Sequence, residues 1–188
     1  MSKFFKIIIV GDPGVGKSCL AANILDRQIS SIYIPTKEPI QLITELKKYN
    51  QVLDIEIWDM PGDDQYITLS SSHYKGAHGA IIVYSVTNEE SLCNVNHWME
   101  NVNDVLSEAP NLTKVVVGLK ADSKFATVSS QTGESKASSF DCKHFQCTNN
   151  DKKTVKRMFE ELLDQILEMN GLLPNINQEE IPKSCKCC

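Results

Sequence analysis

Between Gly11 and Ser18 the chain reads GDPGVGKS, a glycine and four further positions followed by Gly-Lys-Ser. Where such a run joins a strand to a helix it makes a phosphate cradle. The glycines let backbone N–H groups turn inward on phosphate oxygens, and the helix N-terminus adds its positive end. In that geometry Lys17 reaches the terminal phosphates and the Ser18 hydroxyl ligates Mg²⁺. Asp12, Pro13, Gly14, Val15 and Gly16 form the turn, and Cys19 follows in the first turn of the helix. Kinases, ATPases and nucleotide-operated switches all use this loop, so it names the ligand's phosphates and not the reaction.

A second constellation narrows the choice. Trp58 closes a strand-like run and is followed by Asp59-Met60-Pro61-Gly62, an Asp-x-x-Gly. A carboxylate at a strand's C-terminal end can hold a metal through water, and the glycine N–H can meet a terminal phosphate, so the loop beyond senses whether that phosphate is there. Without the phosphate loop, the same four residues would be a simple strand-ending turn.

The elements that position these residues alternate along the chain. Phe4 to Val10 is an apolar, buried first strand, and Lys17 to Leu25 the helix after it. Ile40 to Tyr49 and Val52 to Trp58 alternate apolar with polar residues around Asn50-Gln51, which predicts a hairpin adding one antiparallel edge strand. Ala80 to Val86 and Val115 to Leu119 are continuous apolar runs, as central parallel strands covered on both faces require. Thr87 with Glu90 forms a capping box ahead of one long helix carrying Leu92, Val95, Met99, Val102 and Leu106. Ser129 to Ser139 predicts an exposed loop or a short surface helix. Asp151 caps a last helix whose stripe Val155, Met158, Phe159, Leu162, Leu163, Ile166 and Leu167 runs until Gly171. The class is α/β with a mostly parallel sheet.

Composition agrees with one folded domain. The 188 residues are 41% hydrophobic and 23% charged, with 19 basic against 24 acidic side chains and a net charge of −5. That balance supplies no basic footprint for nucleic acid. The apolar run before Gly11 is too short for a signal-peptide core or a membrane span, and Ser2 excludes N-myristoylation. Seven cysteines make a disulfide framework unattractive. Cys19, Cys93, Cys142 and Cys147 are expected to behave as small buried hydrophobes.

With these motifs in this order, residues 4 to 170 resemble a Ras-superfamily small GTPase, most closely the Rab branch, and SSHYKGAHGAIIVYSV, Ser71 to Val86, is strongly Rab-like. The resemblance implies a single P-loop small-GTPase domain over residues 1–170, with a six-stranded sheet and helices on both faces, ahead of a flexible tail at 171–188. It implies GTP/GDP and Mg²⁺ as ligands, with Ser18, Thr36 and Asp59 as metal ligands. Thr36 lies in Tyr33-Ile34-Pro35-Thr36, a segment with little regular-structure signal, and taken alone is a surface threonine.

The departures matter as much. Asp63 stands where the family orients the attacking water with glutamine. It can accept but not donate, and it adds negative charge beside the γ-phosphate, so the catalytic set of Lys17, Gly62 and Asp63 predicts slow hydrolysis. The guanine-reading Asn-Lys-x-Asp appears as Leu119-Lys120-Ala121-Asp122, keeping Lys120 and Asp122. Thr148-Asn149-Asn150 replaces the Ser-Ala-Lys loop, with Thr148 and Asn149 at its base contacts, and Ile29 replaces the aromatic commonly stacked on guanine. Of the family's partner-reading aromatic trio, Gln41, Trp58 and His73, only the tryptophan is kept. The resemblance further implies a monomer served by an exchange factor, a GTPase-activating protein, a prenylation escort and a dissociation inhibitor.

The end, Cys185-Lys186-Cys187-Cys188, resembles the double-cysteine ends geranylgeranylated in Rab proteins, with Cys187 and Cys188 the expected lipidated pair. One lipid binds membranes marginally, and Lys183 and Lys186 are offset by Glu179 and Glu180, so two lipids are the consistent number. The rival is a thiol metal site. The expected place is the cytoplasmic face of an intracellular membrane, with a cytosolic pool. Two functions stay open: a nucleotide-operated membrane switch in vesicle trafficking, and a non-cycling nucleotide-binding scaffold that recruits partners. A nucleoside or adenylate kinase shares the phosphate loop, but no Arg-rich lid follows it.

Overall fold

A computed structural model describes residues 3–28, 34–63, 72–105, 112–148 and 150–173. Ile29, Tyr33, Leu106, Asn149 and the tail with Cys185, Cys187 and Cys188 lie outside the described residues.

The sheet has six strands: β1 (Lys3–Gly11), β2 (Ile40–Lys48), β3 (Gln51–Asp59), β4 (Gly79–Ser85), β5 (Thr113–Leu119) and β6 (Lys143–Gln146), in spatial order β2-β3-β1-β4-β5-β6. Every neighbouring pair is parallel except β2 with β3. Among the described residues they are connected by helices α1 (Lys17–Ile24), α2 (Glu89–Cys93), α3 (Val95–Val105), α4 (Ser130–Ser138) and α5 (Lys152–Met169).

The continuous apolar strands have the two-sided burial their sequences call for. Ile7 and Ile9 of β1, Ile81 and Val83 of β4, and Val115, Val117 and Leu119 of β5 face α1 and α5. Their alternates Ile8, Val10, Ile82, Tyr84 and Val116 face α2, α3 and α4. Alternating side chains on a pleated strand put each set in its own core. The α5 stripe from Val155 to Leu167 is buried throughout, Asp151 caps it by accepting from the Thr154 N–H, and Gly171 follows its end in a left-handed conformation (φ 65°).

Four local expectations need correction. The hairpin turns on Tyr49-Asn50, with φ of 49° and 57°, because a two-residue loop that matches strand twist needs positive φ at both positions. Gln51 already belongs to β3, opposite Lys48. The cap of α2 is Asn88, whose extended backbone lets its side chain accept from the Ser91 N–H, while the Thr87 hydroxyl is engaged with Ser85 Oγ at 2.8 Å. The single long helix is two, α2 and α3, meeting at Asn94. Of the four internal cysteines only Cys147 is buried; Cys93 is exposed, and Cys19 and Cys142 are half-buried. The Ser-rich segment takes the helical alternative: Ser129 caps α4, and Gly133 and Ala137 bury its inner face. The short β6 carried no period of its own, with Phe145 its one buried residue.

Candidate functional site

β1 delivers Gly11 between β3 and β4, and the chain then turns through Gly14 and Gly16. At φ 115° Gly16 occupies the left-handed region that side chains other than glycine disfavour, and from there it caps α1. Among the described residues no side chain caps α1, and no acidic residue sits in its first turn, so the first N–H groups present their positive end to the loop's concavity.

Lys17 is 6% exposed, and its Nζ donates to the carbonyls of Gly11 (2.8 Å) and Asp12 (2.9 Å). Burial drives its pKa from 10.5 to about 8, against the opposing pull of the Asp59 and Asp12 carboxylates. An anion arriving at the loop would restore what burial takes from the ammonium.

Ser18 begins the exposed side of α1, and its Oγ lies 3.1 Å from Thr36 Oγ1. Asp59, the last residue of β3 and 2% exposed, completes a three-residue oxygen set. Burial raises its carboxyl, while the Ser18 and Thr36 hydroxyls and the Lys17 charge pull the other way. Asp59 Oδ1 is buried with no hydrogen-bond partner among the described residues. An orphaned carboxylate oxygen beside two hydroxyls, all hard donors, fits Mg²⁺ completed by water and phosphate oxygens.

The second loop closes on the first. A Cβ built on Gly62 would lie 2.5 Å from Lys17 Nζ and 2.6 Å from both Asp12 C and Pro13 N, so only a glycine lets this backbone approach so near. Asp63, directly after it, is exposed.

The opposite end of the site is built by the loops after β5 and β6. Cys147 N donates to Gly118 O (2.9 Å) and Ala121 N to Cys147 O (3.2 Å), locking the two loops together. Lys120, at φ 65°, reaches back so that its Nζ donates to Gly14 O at 2.7 Å. Asp122 is exposed and Thr148 half-buried. Leu119 is fully buried within the apolar core.

The model of the Ras family matches residues 6–168 of this chain. The chain belongs to the Ras family. It is a Rab-like small GTPase, 32% identical over 174 residues to the Ras-related protein RIC1 of Oryza sativa subsp. japonica, covering 92% of this chain and 85% of that protein. It is also 32% identical over 179 residues to the Ras-related protein RABD2a of Arabidopsis thaliana, covering 95% and 87%.

In this Ras-family protein the metal-type residues Ser18, Thr36 and Asp59 come together around Lys17 and Gly62, while Lys120, Asp122 and Thr148 come from the far loops. Leu119 packs inward, so no side-chain amide at that position ties the base end to the phosphate loop; the Lys120–Gly14 bond makes a tie of its own. A cavity of about 560 Å³ adjoins the loop, lined by Pro13, Gly14, Thr87, Glu90 and Lys120 among others. Ser18, Thr36 and Asp59 are not among the residues that line it.

Gln41, Trp58 and His73 also meet. Gln41 pairs with Trp58 across β2 and β3, the Trp58 and His73 rings are 5.0 Å apart, and Glu56 accepts from both Gln41 Nε2 (2.7 Å) and Trp58 Nε1 (3.1 Å). Lys6 Nζ stands 5.0 Å over the Trp58 ring.

Sequence reasoning missed Asn94 and Trp98. Asp12 turns its side chain away from the phosphate site, and its carboxylate accepts from Asn94 Nδ2 (2.9 Å) and Trp98 Nε1 (2.7 Å). The available signal was Trp98 itself, since a buried indole N–H calls for an acceptor.

Proposed function

We propose that this Rab-like protein is a Mg²⁺-dependent GTP/GDP switch that works at an intracellular membrane in vesicle trafficking and hydrolyses GTP slowly on its own. The observation that carries the reading is the meeting of the Ser18 and Thr36 hydroxyls with the orphaned Asp59 carboxylate beside Lys17. Ser18, Thr36 and Asp59 would hold Mg²⁺, which when bound supplies charge neutralisation for the β- and γ-phosphates. The N–H groups at the start of α1 and the Lys17 ammonium would take up phosphate charge, and the Gly62 N–H would respond to the γ-phosphate. Asp122 would accept from the guanine edge while the Lys120 stem covers the ring.

Hydrolysis forms a bond from a water oxygen to the γ-phosphorus as the bond to the β–γ bridging oxygen breaks, giving GDP and phosphate. Asp63 can accept a proton of that water but cannot donate to the γ-phosphate, and its charge repels the anion. The expected intrinsic rate is therefore low. A second reading, a scaffold that holds nucleotide without cycling, draws on Leu119, whose burial leaves the base without an amide tether.

Titration with fluorescent GTP, GDP and ATP separates these. The switch reading expects guanine selectivity, Mg²⁺ dependence and loss of binding in Lys17→Ala; equal affinity for ATP and GTP would refute it. The membrane part rests on Cys187 and Cys188. The wild type should partition with membranes in a eukaryotic cell, and the Cys187→Ser, Cys188→Ser double variant should be cytosolic; free thiols on membrane-purified protein would refute lipidation.

A further inference from the structure

The phosphate loop is held from behind by side chains on another element. Asn94 stands at the junction of α2 and α3, and Trp98 N donates to Asn94 O at 3.0 Å, so the two side chains are one helical turn apart on the same face. Both of their N–H donors converge on a single carboxylate, Asn94 Nδ2 on Asp12 Oδ2 at 2.9 Å and Trp98 Nε1 on Asp12 Oδ1 at 2.7 Å. The fork uses each oxygen of Asp12 once, and both bonds are charge-assisted.

Asp12 is also the residue whose main chain organises the phosphate site. Its carbonyl accepts from Lys17 Nζ at 2.9 Å, and its carbonyl carbon forms part of the surface against which Gly62 closes. Pro13 follows it, which restricts the Asp12 backbone further. Fixing the side chain of Asp12 therefore fixes the carbonyl that aims Lys17. Trp98 is 1% exposed and shares its core with Met60, the residue between Asp59 and Pro61 of the second loop, so the indole is held rigidly where it donates.

We infer that Asn94 and Trp98 are positioning residues for nucleotide binding, forming with the Asp12 carboxylate a clamp that holds the phosphate loop and Lys17 in the phosphate-binding conformation. The inference rests on the nucleotide-switch reading of the site. If the loop is set by the clamp, losing the indole N–H loosens every polyphosphate ligand alike, whatever its base, because the clamp acts on the loop and touches no ligand atom. A Trp98 that serves packing alone would instead lower stability without any dependence on Asp12.

The decisive experiment is a double-mutant cycle on GDP release and on inorganic pyrophosphate binding, using Trp98→Phe, which keeps an apolar ring without the N–H, Asp12→Ala, and the two combined. Each single variant should release GDP about tenfold faster and weaken pyrophosphate binding by a similar factor, and the double variant should be no worse than either single by more than about twofold. Multiplying losses in the double variant, or an unchanged release rate in Trp98→Phe, overturns the clamp. The bond itself has an independent readout. The chain holds two tryptophans, and Trp58 Nε1 donates to Glu56. In a ¹H–¹⁵N spectrum of the full chain, Asp12→Ala should displace one indole resonance and Glu56→Ala the other; an indole pair unmoved by Asp12→Ala overturns the clamp even if nucleotide kinetics change. Wild-type protein that binds neither pyrophosphate nor GDP would overturn the switch reading itself, and with it the clamp's role, which distinguishes that failure from additive losses in a protein that binds both.

Discussion

Raising the pH from 7 to 8.5 should weaken binding of GDP through Lys17, by an amount the site's burial sets. In the nucleotide-free protein the Lys17 pKa has fallen from 10.5 to about 8 because its ammonium is desolvated. A bound polyphosphate needs that ammonium charged, so above pH 8 binding must also drive protonation. With a free-state pKa of about 8, and the ammonium kept charged when polyphosphate is bound, the free lysine is about one-tenth neutral at pH 7 and about three-quarters neutral at pH 8.5. Affinity should therefore drop about fourfold across that interval, and proton uptake on binding should rise from about 0.1 to about 0.75 per chain. Calorimetry of GDP binding in two buffers of different ionisation enthalpy reads both quantities. The linkage also fixes the sign for the fold. Because the folded pKa lies below the unfolded one, the buried charge is fully unfavourable below pH 8, and stability of the nucleotide-free protein should rise between pH 8 and 10.5. Flat affinity together with flat proton uptake would show that Lys17 is not the buried ammonium on which the site depends.

Gly62→Ala should separate the two loops, because its methyl would need the space within 2.6 Å of the Asp12 and Pro13 backbone. The expected result is loss of preference for GTP over GDP, with GDP affinity changed less than threefold, by equilibrium titration; a preserved preference would mean that Gly62 does not sense the terminal phosphate. Asp63→Gln should speed single-turnover phosphate release about tenfold or more, since an amide orients water without placing like charge beside the γ-phosphate. A variant no faster than wild type would mean that Pro13 or Pro61 sets the rate, or that the water is held by another group.

What the sequence makes legible here is what depends on near neighbours. The phosphate loop is a single short run whose glycines, lysine and serine act on one ligand, and the buried strands announce themselves because two-sided burial demands unbroken apolar residues. Asp59 and Thr36 lie far from Ser18 in the chain, and it was the resemblance that joined them. The Asp12 clamp escaped because its donors, Asn94 and Trp98, lie 82 and 86 residues away and their face of α3 is defined only after folding. Thr87 and Asn88 are both acceptable caps, and the choice fell to Asn88 because the Thr87 hydroxyl bonds to Ser85. The helix at Ser130–Ser138 has weak propensity and little apolar content, so its cap at Ser129 and the burial of Gly133 and Ala137 decide its state. Leu119 is ambiguous in the sequence, standing both at the end of a core strand and at a ligand-reading position; the structure commits it to the core.

Acid release and chromatographic identification of whatever nucleotide copurifies with the protein in Mg²⁺ test the central claim most directly. GDP or GTP is expected at about one per chain, lost on chelation of the metal and absent from Lys17→Ala. Adenine nucleotide in that place, or wild-type protein that is empty and takes up neither GDP nor GTP when Mg²⁺ is supplied, would contradict it.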